Sequence, residues 1–197
     1  QEGLKWLGIS WHEGPFRQSE RTGRYAEALT QLLANGNAYK DGEAIILRVQ
    51  PEVVTFQDQI RGDISVHTNS FEGDFVIARS LNDALYHLAV VVDDYDMNIT
   101  HVIRGEDHLH NTIKHILLQR ALAYPRPAYA HLPLLLDADR KKLSKRSGET
   151  SLLAYRDMGI LPEAMLNYLA LLGWNNGDDR ELYTHEELIE AFSLERV

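Results

Sequence analysis

The sequence has 197 residues, 44% hydrophobic and 25% charged, an ordinary balance for a globular chain with enough apolar material for a core. It has no cysteine, which excludes disulfide frameworks and thiolate metal sites and fits a reducing cytosol, and its net charge of −9 argues against a surface that binds nucleic acid as a whole. No apolar run approaches the roughly 20 residues that span a bilayer, and the N-terminus carries neither a signal peptide's pattern nor an initiator Met, so the chain is expected to start inside a longer protein.

Ser19 is a candidate N-cap for a helix that carries Tyr25, Ala28, Leu29, Leu32 and Leu33 on one face and ends at Asn35-Gly36. Between 43 and 78 the pattern shifts to short β-rich pieces at 44–49, 53–56, 64–66 and 75–78. Residues 86–92 are dense in Val and apolar on both faces, which predicts a buried strand of a parallel sheet. A strand at 101–104 leads into a helix over about 107–122, and another strand is expected at 132–136. The remainder reads as three helices, one opening near Ser151, one with Pro162 as its first residue and Gly173 at its end, and one after Thr184. The order is α/β followed by all-α, without internal repeats.

Basic residues concentrate in two places, Arg17/Arg21/Arg24 and the run Arg140-Lys141-Lys142 through Lys145-Arg146, and these are the candidate contacts for RNA. The second run, with Lys142, Ser144, Lys145 and Arg146, suits a polyphosphate. Lys145 can neutralise charge on a departing pyrophosphate and Ser144 can donate to a phosphate oxygen, although a solvated basic loop has the same composition. Arg104 closes a predicted strand, where a planar two-pronged cation can grip a carboxylate; pairing with Glu106 or Asp107 at the helix start is the alternative. Tyr86 taken alone is a core aromatic with a satisfied hydroxyl.

Four other patterns carry less. Residues 94–105 imitate a calcium loop but have Ile99 where the turn glycine belongs and Gly105 where the acidic ligand belongs. Asn98-Ile99-Thr100 is a sequon only in a secreted protein, and Arg61-Gly62-Asp63 reads as a turn. His108 and His110 point to different sides of a helix, so no zinc site is expected there.

Taken with their order and spacing, these segments resemble a known family. Lys142-Leu143-Ser144-Lys145-Arg146 resembles the second signature of class I aminoacyl-tRNA synthetases. The preceding His131-Leu132-Pro133-Leu134-Leu135-Leu136 is similar to the strand that receives adenine. The stretches 3–21, 86–94, 100–109 and 161–192 resemble bacterial glutamyl-tRNA synthetases in particular. The resemblance implies an α/β Rossmann-like nucleotide-binding fold, present as its C-terminal half, with a truncated α+β connective insert and an α-helical stem-contact domain. Implied boundaries are 1–9 for the end of the first half, 10–84 for the insert, 85–147 for the second half and 148–197 for the helical domain. It further implies that Arg104 and Tyr86 hold glutamate. Lys142, Ser144 and Lys145 would serve the reaction, and Lys145, Arg146, Leu134, Leu135, Glu106 and His108 would lie at ATP.

The implied activity is glutamate–tRNA ligation, with ATP and Mg2+ as cofactors, tRNA(Glu), L-glutamate and ATP as partners, and a monomeric, cytoplasmic protein. A family member would have its first ATP motif before Gln1, an anticodon-reading domain after Val197, and a longer insert between the positions of Tyr39 and Glu43. The isolated chain is therefore expected to be inactive. An enzyme that glutamylates a modified base of tRNA(Asp) and a noncatalytic tRNA-binding paralogue are the alternatives. Glutaminyl-tRNA synthetase is disfavoured, because a neutral amide does not call for Arg104.

Overall fold

The computed structural model describes residues 1–71, 73–134 and 151–197. In chain order its regular elements begin with α1 (Glu2–Trp6), α2 (Thr22–Ala34), β1 (Ala38–Asp41), β2 (Ala44–Leu47), β3 (Val53–Asp58) and β4 (Gly62–His67). There follow β5 (Phe75–Ser80), β6 (Asp83–Ala84), α3 (Tyr86–Asp96), β7 (His101–Gly105), α4 (Leu109–Leu122) and β8 (Ala128–Leu132). The last three are α5 (Leu152–Asp157), α6 (Pro162–Leu171) and α7 (His185–Ala191). Two compact units result, residues 15–131 and residues 1–14 with 132–197.

The larger unit is mixed α/β. One sheet runs β1-β2-β5-β6, all antiparallel, and the other runs β4-β3-β8-β7, with β3 parallel to β8 at the Asp58–Tyr129 pair. Helices α2, α3 and α4 supply Ala28, Leu29, Leu32, Leu88, Val91, Val92, Ile113, Ile116 and Leu118 to one core with Ile45, Leu47, Val54, Phe56 and Ile77 from the strands. Two hairpins have different turns. Asp41 pairs with Ala44 across the two-residue loop Gly42-Glu43, and Gly42 at φ +60° gives the sign pattern of a type II′ turn. Asp58 pairs with Gly62 across three residues, with Gly62 at φ +74° in the left-handed position that such loops require. Arg61 thus ends a turn, as its sequence suggested, and Gly62-Asp63 open β4.

In the smaller unit, Arg156 of α5 bonds Glu2 of α1 at 2.8 Å. Trp174 packs edge-on to Tyr183. Thr184 and Glu187 form a reciprocal capping box at the start of α7, two orphan N–H groups satisfied by two side chains.

Four expectations are corrected. Residues 86–92 form helix α3, not a strand. Leu88, Ala89, Val91 and Val92 are buried while Tyr86 is exposed, a helical stripe that packing on α2 and α4 favours over the β preference of valine. The helix after Ser19 starts at Thr22 with Arg21 as N-cap, and Ser19 lies in a single 3-10 turn, Gln18–Glu20. The expected strand at 132–136 is β8, four residues earlier, and Pro133, which has no N–H for a ladder, follows its end. Arg21 and Arg24 are no open basic patch. Arg21 bonds Asp93 at 2.7 Å and Asp96 at 2.6 Å, Arg24 bonds Asp96 at 2.9 Å, and Tyr25 and Gln18 add bonds to Asp93. Those side chains tie α2 to α3.

Helices α3 and α4 offer two tests of this packing. Ala123, which ends α4, sits at φ +57°, where a Cβ is strained and glycine is not. Ala123→Gly is expected to stabilise the fold by about 1 kcal/mol, read from the urea midpoint.

His87 of α3 and His115 of α4 lie 3.2 Å apart, Nδ1 to Nε2. Burial lowers their pKa values from 6.5 to about 4 and about 3, with the charges of Lys114 and Arg104 adding to the effect. The unfolded chain therefore takes up protons near pH 6.5 while the folded chain does not, so stability is lost as pH falls from 6.5 toward 4. Asp94, raised by burial to about 6, acts in the opposite sense. Urea unfolding of the chain and of His115→Gln between pH 7 and 4 separates the two: the variant should lose part of the acid slope, and an unchanged slope would exclude His115 as its source.

Candidate functional site

Strand β7 delivers Arg104 near its end, just before the single 3-10 turn Glu106–His108 and helix α4. Its guanidinium is half-buried and already held. Nε donates to His131 Nε2 at 3.2 Å, and Nη2 donates to Thr112 Oγ1 at 2.6 Å and to the His108 carbonyl at 3.2 Å. Among the described residues Nη1 makes no hydrogen bond. The two-pronged edge expected from the sequence is thus occupied by protein groups, and Nη1 remains for a ligand.

Behind Arg104 stands a buried pair. Val54, Phe56 and Asp58 are the inward-facing residues of β3, so the strand's alternation puts a carboxylate, 2% exposed, in the core row. Asp58 Oδ2 lies 2.6 Å from His131 Nδ1, and Oδ1 accepts the backbone N–H groups of Ile60, Arg61 and His131 at 3.0, 2.9 and 3.2 Å. Burial pushes the Asp58 pKa up, but these bonds outweigh it and hold the group below the ordinary carboxylate range. His131 is held low by burial and by Arg104 despite the pull of Asp58. The geometry agrees with a carboxylate facing a neutral imidazole, because Nε2 must keep a lone pair to accept from Arg104.

Tyr86, 47% exposed at the first turn of α3, packs its ring on His87 and His115, and His115 lies within electrostatic reach of Arg104. Glu106 pairs with Arg61 of the β3–β4 turn. His108 Nδ1 meets the Asn111 amide at 3.0 Å and gives its carbonyl to Arg104. Arg104, Tyr86, Glu106 and His108 thus share one unit. Leu134 is described, half-buried after β8 in the other unit, whereas Leu135, Lys142, Ser144, Lys145 and Arg146 lie outside the described residues. A cavity of about 740 Å3 lined by Trp6, Arg180, Leu182 and Tyr183 belongs to the smaller unit and contains none of the candidate residues.

Sequence reading missed Asp58 and Thr112, and quoted His131 only as part of a strand. The signal for Asp58 was present: a carboxylate in phase with Val54 and Phe56 must find a buried partner. The partner lies 73 residues away, a distance that periodicity does not bridge.

Comparison with known proteins bears on this arrangement. The chain matches the family described as tRNA synthetases class I (E and Q), catalytic domain, in two stretches, 1–45 and 41–197. Glutamate–tRNA ligases of Geobacter sulfurreducens and Aquifex aeolicus are 42% and 43% identical to it, each over all of this chain and 50% of its own length. The aligned span with the first is 234 residues, longer than the chain itself. In structure, a glutamate tRNA ligase from Elizabethkingia meningosepticum in complex with its amino acid superposes with TM-score 0.88 at 29% identity, over 100% of this chain and 54% of that one. The glutamate-tRNA synthetase of Elizabethkingia anophelis gives 0.86 at 30%, over 100% and 55%. This chain therefore spans about half the length of the curated relatives it matches, and it belongs to the class I tRNA synthetases of the E and Q group, by their catalytic domain.

Proposed function

We propose that the protein containing this chain is a glutamate–tRNA ligase, and that Arg104 receives the side-chain carboxylate of glutamate through Nη1. The observation that carries the reading is a guanidinium held by three neutral acceptors with one nitrogen unbonded among the described residues, in the unit that also carries the exposed Tyr86. Neutral acceptors do not pair its positive charge in direct contact, which suits an anionic ligand. The names of the relatives support the same reaction.

In this reading the glutamate α-carboxylate attacks the α-phosphorus of ATP, brought in as its magnesium complex. Pyrophosphate leaves and glutamyl-adenylate remains. A hydroxyl of the terminal ribose of tRNA(Glu) then takes the glutamyl group and AMP departs. Positioning and charge stabilisation suffice, with no covalent enzyme intermediate. Lys145 meets the charge developing on pyrophosphate, with Lys142, Ser144 and Arg146 beside it. Leu134 and Leu135 face adenine, and Glu106 and His108 border the ATP and amino-acid pocket. Residues 1–9 and 85–147 then belong to the nucleotide-binding fold, 10–84 to a shortened connective insert and 148–197 to a helical stem-contact domain. The protein works as a cytoplasmic monomer.

In the full-length protein, Lys145→Ala is expected to slow adenylate formation by roughly 10²–10³-fold, the scale for losing one transition-state donor, with glutamate binding in the absence of ATP unchanged. Equal losses in both would make Lys145 structural. Arg104→Lys keeps a charge but loses the planar fork. A charge-assisted hydrogen bond contributes about 1.5–3 kcal/mol, so glutamate activation should fall roughly ten- to a hundredfold or more. Glutamine activation should fall much less. Measuring both substrates with the thermal midpoint separates this from a structural Arg104, for which both amino acids lose alike.

A further inference from the structure

We infer that Asp58 and His131 are positioning residues for Arg104, a buried carboxylate–imidazole relay that aims the guanidinium without neutralising it. The inference rests on the reading of Arg104 as the carboxylate receiver and adds the means by which that side chain is held.

The geometry makes the relay directional. Asp58 Oδ1 is saturated by three backbone donors, so Oδ2 alone faces His131, at 2.6 Å. A carboxylate there fixes the hydrogen on Nδ1 and leaves Nε2 as an acceptor. Nε2 lies 3.2 Å from Arg104 Nε and 3.0 Å from Thr112 Oγ1. Thr112, fully buried, takes Nη2 of the same guanidinium at 2.6 Å. Two acceptors on one edge fix the plane of the guanidinium and leave Nη1 as the nitrogen without a bond among the described residues.

A carboxylate in direct contact with Arg104 would give the same orientation but would compete with an anionic ligand for its charge. An imidazole between the two keeps the geometry and moves the negative charge one ring away. The same Asp58 also shapes the turn that carries Arg61 to Glu106, so the segment 104–108 is held from both sides by one hairpin.

Asp58→Asn in the full-length protein tests the relay. The introduced amide must offer its oxygen to the three backbone donors, which leaves its NH2 facing His131 Nδ1. His131 is then expected to move its hydrogen to Nε2, donor against donor with Arg104 Nε. The ¹⁵N shifts of His131 should show the exchanged tautomer. Glutamate KM in pyrophosphate exchange should rise about tenfold or more, with ATP KM unchanged and kcat altered less. An exchanged tautomer with glutamate KM within about twofold of the unmodified protein would overturn the inference. If Asp58→Asn does not fold, Thr112→Val removes the shorter of the two Nη2 bonds without touching the buried carboxylate. It should give the same selective rise, and an unchanged KM would again overturn the relay. Arg104→Lys is measured alongside. If it raises glutamate KM and Asp58→Asn does not, the relay alone is wrong; if neither does, the reading of Arg104 as receiver fails with it.

Discussion

A carboxylate in the inward-facing row of a strand costs several kcal/mol unless charge-stabilising bonds replace its water. Asp58 makes four such bonds, to the imidazole of His131 and to three backbone N–H groups, two of them local and two to a residue 73 positions on. The bonds to Ile60 and Arg61 close the β3–β4 turn. Those to His131 link β3 to β8 at the place where the two strands run parallel for a single pair. A parallel contact that short has little ladder of its own, and Asp58 supplies the missing bonds through a side chain. From there the connection passes to Arg104 on β7 and Thr112 on α4. One charged residue thus ties three strands and a helix to a common geometry.

A second buried set fixes helix to helix. Asp93 and Asp96 on α3 receive Arg21, Arg24, Tyr25 and Gln18, and Arg24 reaches on to the Tyr124 hydroxyl at 3.0 Å. Tyr124 in turn lies flat on Tyr95, 3.7 Å between centroids. The two sets use charge differently. Around Asp93 and Asp96, arginines and carboxylates touch and largely cancel, which ties helices together. Around Arg104 the hydrogen-bond partners among the described residues are neutral, and the Asp58 carboxylate acts on it through an imidazole, which leaves the cation available. The contrast, within one unit, distinguishes an arginine that holds the fold from one that can hold a ligand.

Much of this was legible in the residues. Apolar stripes at 25, 28, 29 and 32 and at 109–122 gave helices α2 and α4, and short β-rich runs gave β2 to β5 nearly in place. Arg104 was legible as a strand-end residue, with a carboxylate grip and a pair with Glu106 or Asp107 both open, and it was the resemblance that favoured the first. The misreading of 86–92 has a physical cause: three consecutive valines favour a strand locally, but burial of 88, 89, 91 and 92 needs a helical face, and tertiary packing decides. Arg21 and Arg24 were misjudged because a sequence shows charge and not its counter-charge, and their partners lie about 70 residues on. The Asp58–His131 pair escaped for the same reason. Residues 135–150, where the resemblance places the phosphate loop, lie outside the described residues, so that part of the site stands on sequence alone.

The two hairpin turns of the larger unit carry unequal weight. The family match breaks into two stretches that meet at 41–45, the place where the resemblance puts a longer insert. There the chain closes β1 on β2 with two exposed residues and an unshifted register from Ala38–Leu47 to Asp41–Ala44. A Cβ on Gly42 would meet nothing within 4 Å. Such a loop tip tolerates gain or loss of chain, because loop-closure entropy grows only slowly with length and no buried group depends on it. The β3–β4 turn is only one residue longer, yet Asp58 opens it and its last side chain is Arg61. Extra residues between them would separate the two backbone donors from Oδ1 and Arg61 from Glu106, and would release the segment that bears Arg104. Variation in length is therefore expected at 42–43 and not at 59–61, a difference set by which turn encloses a buried charge.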